Sequence, residues 1–138
     1  MYIRIVALIL LYCTGSPLFA DAVLYECRVT QKKEGADWIS EQVGLVLKPD
    51  NSVIVLDAVI LHFLGGPIPA TRVRNTANEL DVRWTISGAR DDGNQAIPNF
   101  DYNAVVDKKT GRFSLFAKPE NYSNRFRGKG SCVLKTAE

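Results

Sequence analysis

Cys27 and Cys132 lie near opposite ends of the chain, and their chemistry says more about it than that of any other pair. In an oxidising compartment two thiols left in a small domain pair with each other. A disulfide between them encloses about 100 residues, for which the chain-entropy treatment gives up to roughly 4.7 kcal/mol of stabilisation. The other reactive residue types lack their usual companions. His62 is the only histidine and sits in Leu61-His62-Phe63-Leu64, a setting for a structural or surface role rather than a general base. There is no HExxH, no paired CxxC and no glycine-rich phosphate loop, so zinc hydrolysis and nucleotide chemistry lack their parts. Arg90-Asp91-Asp92-Gly93-Asn94 groups oxygen-bearing side chains, but without the alternating ligands and distant bidentate glutamate of a helical calcium loop it reads as a solvated turn. Asp81, Asp101 and Asp107 fall on the polar parity of their segments, which keeps them out of a cleft where two carboxylates would share acid/base work. No metal and no cofactor is expected, and the residues point to binding rather than catalysis.

The compartment follows from the beginning of the chain. Arg4 precedes an apolar run from Ile5 to Tyr12, a break at Gly15-Ser16-Pro17 and small residues at Ala20 and Ala22, the order of a secretory signal. Residues 1–22 are therefore expected to be removed by cleavage after Ala20 or Ala22, taking Cys13 with them. The apolar run is shorter than the roughly 20 residues that cross a bilayer, so no membrane-spanning segment is expected after cleavage. Residues 23–138 suffice for one domain with one core. The formal net charge is +2, too balanced to imply nucleic acid. A periplasmic or secreted protein is expected.

These residues must be positioned by strands. Leu80, Val82, Trp84 and Ile86 alternate with Glu79, Asp81, Arg83, Thr85 and Ser87, as a half-buried strand requires. Phe100, Tyr102, Ala104 and Val106 repeat the pattern, and after Lys108-Lys109-Thr110-Gly111 so do Phe113, Leu115 and Ala117, which makes a hairpin with Gly111 at positive φ. Pro49-Asp50-Asn51-Ser52 turns the chain between Val43 to Lys48 and Val53 to Leu56. Leu24 to Thr30, a short run around Ala70 to Arg74 and Arg125 to Lys135 bring the count to about eight, which predicts a single all-β, antiparallel up-and-down barrel. In such a barrel the first and last strands are antiparallel neighbours. Cys27 shares an inward face with Tyr25 and Val29, and Cys132 shares one with Phe126, Gly128, Gly130 and Leu134, so the disulfide would seal that seam.

One segment departs from the alternation. Asp57 as N-cap and Gly65 as terminator predict a short helix over 58–64, plugging one end of the barrel. Trp38, Trp84, Phe100, Tyr102, Phe113 and Phe126 are expected to crowd the interior and leave little room for a large pocket. On the exterior, Arg125, Arg127, Lys129 and Lys135 alternate with the inward residues of the last strand, and Arg112 and Lys118 fall beside them. This basic stripe is read first as a charged outer sheet face that keeps the protein in solution, partly neutralised by Glu26 across the seam, and otherwise as a surface for a protein partner or an anionic cell-envelope surface.

Three resemblances attach to the residues of this chain. Tyr25-Glu26-Cys27, the Trp84 and Tyr102 strands and Gly130-Ser131-Cys132 resemble short exported proteins of unknown function from Gram-negative bacteria, which implies no activity. The chain is also similar at both ends to the periplasmic inhibitors of chicken-type lysozyme, small disulfide-linked barrels. Ser87-Gly88-Ala89-Arg90 resembles that family's Ser-Gly-Ala loop, which implies that Ser87 enters a hydrolase cleft. Asp91 replaces the tyrosine expected there, and Arg127 replaces the tryptophan of the family's second motif, of which only Lys129-Gly130 remains. Gly35-Ala36-Asp37-Trp38 resembles the lipocalin Gly-x-Trp, one residue too long, which is the basis for carriage of a small apolar ligand as a further expectation.

Overall fold

The period-two segments assemble as strands, and the computed structural model describes residues 21–136. The expected signal, with Cys13, lies outside them except for Asp21 and Ala22. Nine strands and one helix follow in the order β1 (Val23–Lys32), β2 (Gln42–Leu47), β3 (Val53–Asp57), α1 (Ala58–Leu64), β4 (Ile68–Pro69), β5 (Arg72–Asn75), β6 (Glu79–Arg90), β7 (Ala96–Asp107), β8 (Arg112–Pro119) and β9 (Phe126–Thr136). They form a single sheet of order β4-β3-β2-β1-β9-β8-β7-β6-β5, antiparallel throughout. The sheet curls into a half-barrel. The run expected around Ala70 to Arg74 is divided, its first part pairing with β3 and its second with β6. Ala70 donates its N–H to the Val53 carbonyl and Thr71 donates to that of Arg83, each at 2.8 Å, so this short step carries the chain from one edge of the sheet to the other.

β1 and β9 lie side by side at the middle of the sheet, and Cys27 is directly opposite Cys132, to which it is disulfide-bonded. Two glycines make this seam possible. A Cβ on Gly130 would stand 1.7 Å from the Arg28 carbonyl oxygen, and one on Gly128 would meet Ile39 and Val29 at 2.8 Å. The β1 ladder shifts register between Val29 and Gln31, so β1 bows towards β9 where the side chains are missing. Leu134 departs from its expected inward position and is 54 % exposed. The physical reason is that β8 pairs with β9 only as far as Arg112 and Ser131, so the last residues of β9 have β1 as their sole neighbour.

The concave face is filled. Trp84 and Tyr102, at 1 % and 2 % exposure, stack in parallel with centroids 5.3 Å apart, and Phe100 stacks on Tyr102 at the same distance. Leu45, Val55, Leu80, Ile86 and Leu115 complete a core with almost no solvent contact. Burying each such side chain contributes about 1.5–3 kcal/mol.

The helix forms where its caps predict. Asp57 Oδ1 accepts the Ile60 N–H at 2.8 Å, and Gly65, at φ 78°, donates its N–H to the Leu61 carbonyl. Only Val59 and Ile60 of this two-turn helix are buried, whereas Leu61 and Leu64 remain exposed. α1 thus rests on one end of the half-barrel rather than plugging it.

Candidate functional site

Alternation of strand direction sends the connections to two ends. The β1–β2 connection (33–41), α1, the β6–β7 turn (91–95) and the β8–β9 connection (120–125) meet at the helix end. The turns at 48–52, 76–78 and 108–111 meet at the other, the turn end. Trp38, expected in the interior, belongs to the helix end. Ala36 and Ile39 are buried and anchor its loop, while Tyr102 reaches up from β7 and donates its hydroxyl to the Trp38 carbonyl at 2.8 Å. The indole stacks on Phe63 of α1 (5.6 Å, 14°) and leans on Phe100 of β7 (4.5 Å, 31°). A partly buried tryptophan is thereby fixed by a strand, a helix and its own loop.

Trp38 and Asp91 line two adjoining openings. The larger, a cleft of about 760 Å³, runs between the β1–β2 connection, α1 and the β6–β7 turn. The smaller, about 260 Å³, is walled by Ile97, Phe100, Pro119 and Phe126, with Tyr122 and Asn124 from the β8–β9 connection. Four carboxylates line the larger cleft: Asp37, Glu41, Asp91 and Asp92. Its two cations are engaged locally, Lys32 donating to the Ile39 carbonyl at 2.9 Å and Arg90 to that of Asn94 at 3.0 Å. The run Arg90 to Asn94 is a solvated turn, as expected, with Asp91 Oδ1 accepting the Gln95 N–H at 2.8 Å and Asn94 at φ 61°.

Beneath Trp38 lies a buried polar group of residues. Asp57 and Ser40 are 3 % and 5 % exposed, and Ser40 lines the larger cleft. Asp57 Oδ2 and Ser40 Oγ are buried without a hydrogen bond of good geometry. Burial pushes the Asp57 carboxyl above the usual range, opposed by the Ile60 N–H and the neighbouring Ser40 hydroxyl. Tyr102 is pushed up by burial and further by the Asp57 charge. Such unmet buried acceptors are uncommon in folded proteins. Among the described residues no group of three or more His, Cys, Asp or Glu side chains is arranged to hold a metal.

The residues singled out from sequence are not brought together. Ser87-Gly88-Ala89-Arg90 is not a loop but the last part of β6, towards the helix end, where Ala89 is buried, Gly88 adopts φ 80° and Ser87 Oγ donates to Asn99 Oδ1 at 2.9 Å. Asn99 in turn donates to Glu120. Arg127 and Lys129 are exposed on the outer face of β9, with Arg125 exposed in the connection before it. The stripe is broken by its neighbours. Arg127 lies over the Phe116 ring at 5.3 Å, Lys135 pairs with Glu26 at 2.8 Å, and Lys129 and Arg112 share a groove of about 550 Å³ with Asp107. Asp81 and Asp101 are on the outer face, as expected, and accept hydrogen bonds from Asn103 and Thr85. His62 is exposed beside Phe63. Sequence reasoning missed Ser40 and Asp57 as a polar pair and Trp38 as part of an end site. The signal for the last was the island Ala36-Asp37-Trp38-Ile39 in an otherwise charged connection.

No described helix is long and apolar enough to cross a membrane. No family model, curated protein or solved structure matches this chain.

Proposed function

We propose that the protein is an exported, non-catalytic binding protein that receives part of a protein partner at the helix end of its half-barrel. The observation that carries this reading is Trp38, an aromatic side chain fixed between Phe63 and Phe100 and left partly exposed between two openings. A rigid, partly exposed tryptophan in a recess is the kind of residue that dominates binding energy at interfaces. The filled concave face favours that end over the interior, since a small apolar ligand has no room beside Trp84, Tyr102 and Phe100. Export is supported by the signal-like residues 1–22 and by a disulfide of the kind that persists outside reducing compartments.

The test is native mass spectrometry of protein recovered from the periplasm of a bacterial host and exposed to a cell-envelope extract. Wild type retains a protein partner and Trp38→Ala does not. A retained lipid-like mass overturns this reading in favour of carriage, and equal retention by Trp38→Ala moves the binding surface elsewhere. Inhibition of a lysozyme-type hydrolase is a second reading, favoured by the exposure of Ser87 near the same end. It requires near-stoichiometric slowing of lysozyme that Ser87→Ala abolishes.

A further inference from the structure

We propose that the open edge of β9 at the turn end takes the extended carboxy-terminal tail of a partner protein as an added strand. This goes beyond the helix-end reading and stands apart from it, at the opposite end of the half-barrel.

The backbone of β9 carries the first part of the argument. β8 pairs with β9 only as far as Arg112 and Ser131, and the Cys132 N–H then reaches the Gly111 carbonyl at 2.8 Å. Backbone groups alternate sides along a strand, so the N–H and C=O of Leu134 and Thr136 face the same side as those of Cys132, away from β1. Among the described residues nothing pairs with them there. Val133 and Leu134 are the most exposed large apolar side chains described, at 61 % and 54 %, one on each face of the strand. Lys135, the charge that would guard such an edge, is already paired with Glu26 at 2.8 Å. The other two edges are guarded, since β4 has two residues, one of them Pro69, and β5 presents Arg72 and Arg74.

The neighbouring turn selects the occupant. A strand antiparallel to β9 runs towards the body of the molecule and stops opposite Val133, because Gly111 already stands against Cys132. Its last residue therefore faces the β7–β8 turn, where Lys109 and Arg112 are exposed and belong to no ion pair among the described residues. Asp107, the carboxylate of that turn, is occupied by the N–H groups of Lys109 and Thr110. A terminal carboxylate suits that place, and the ammonium of a strand running the other way does not. A second copy of the chain fits badly. Leu134 opposite its own copy drives the copy's Thr136 onto Gly111, and Lys135 opposite its own copy sets like charges face to face.

The test is a ¹⁵N NMR titration of the disulfide-intact protein with acetyl-Val-Thr-Val-Leu ending in a free carboxylate, and with the same peptide ending in an amide. The carboxylate peptide shifts the Leu134 and Thr136 amides, and the amide peptide binds about fivefold more weakly. Lys109→Ala combined with Arg112→Ala brings the two affinities together. Leu134→Pro deletes an N–H that points away from β1, so it leaves the urea midpoint unchanged while weakening the carboxylate peptide at least about tenfold. Slower solvent exchange of the Leu134 amide in the bound wild type reads the same hydrogen bond without a substitution. Equal affinities for the two peptides overturn the choice of a carboxy terminus, and absence of shifts at Leu134 and Thr136 overturns the proposal. A concentration-dependent dimer that Leu134→Pro abolishes, seen by sedimentation without peptide, assigns the edge to a second copy and overturns it too. None of these outcomes bears on partner retention by Trp38→Ala.

Discussion

The same strands end in opposite ways at the two ends of the half-barrel. At the turn end the polar groups answer one another. Asp50 caps its turn through Ser52, and Asp107 accepts the N–H groups of Lys109 and Thr110, which holds both carboxyls below their usual range. Lys108 reaches across to Asn75 and to the Thr76 carbonyl, and Asn75 continues to Asn51, so three turns are laced together. At the helix end the contacts are aromatic, two openings remain, and Ser40 and Asp57 each keep an unmet buried atom. Satisfying the turns locally leaves their own polar groups engaged, and the groove beside them is lined by Asp107, Arg112 and Lys129 rather than by aromatic side chains of the loops. A buried polar group with no partner costs of order 1–3 kcal/mol, and Ser40 and Asp57 bear part of that cost, eased by the Ser40 hydroxyl standing beside the Asp57 carboxyl.

The contrast can be broken or sharpened experimentally. The largest effect belongs to the seam that serves both ends: replacing Cys27 and Cys132 together by alanine costs about 2–5 kcal/mol, read as a lower urea midpoint, and loosens both ends alike. Trp38→Ala comes next, at about 2 kcal/mol, because its loss strips Phe63 and Phe100 of a stacked neighbour. Its NMR shift changes should stay at the helix end, and changes spreading to residues 48–52 or 108–111 would show that the ends are not independent. Asp57→Ala removes the N-cap of α1 and costs about 1 kcal/mol. Asp57→Asn keeps a capping oxygen and removes the charge. Because the folded-state pKa of Asp57 is raised, its favourable contribution is present below the unfolded pKa and is lost as pH rises through the folded value. Wild type therefore loses stability over that interval, and Asp57→Asn removes this loss, which urea midpoints measured from acid to neutral pH will show. Smallest is Lys108→Ala at the turn end, at or below about 1 kcal/mol for an exposed network, with partner retention unchanged.

Much of the fold was legible because its signals are local. Asp57 and Gly65 bounded α1 correctly, Asn51 and Gly111 adopt the positive φ their turns need, and the parity of Cys27 and Cys132 placed them across one seam. The division of the strand near Ala70 was not legible, since it depends on how far the two sheet edges stand apart. Gly128 and Gly130 were read as positions on a face, although the chain needs them for the approach of β1 to β9. The helix end was the least legible part. Trp38, Ser40 and Asp57 come from a loop and a strand end that meet only after the sheet curls, and no period in the sequence couples them. The runs Val43 to Leu47 and Val53 to Leu56 carried a further message in their lack of alternation: Val46, Ile54 and Leu24 sit in one row on the outer face, with Leu56 nearby.

The step at Ala70 and Thr71 sets how this molecule breathes. The sheet is stapled covalently near its midline, and its two margins are held by one strand of two residues and another of four. Thermal motion will part those margins long before it separates β1 from β9, so the wall swings like the covers of a book whose spine is the disulfide. Amide protons of β4 and β5 will exchange with solvent fastest among the strands and those flanking the disulfide slowest. α1, which links β3 to β4, belongs to that same margin.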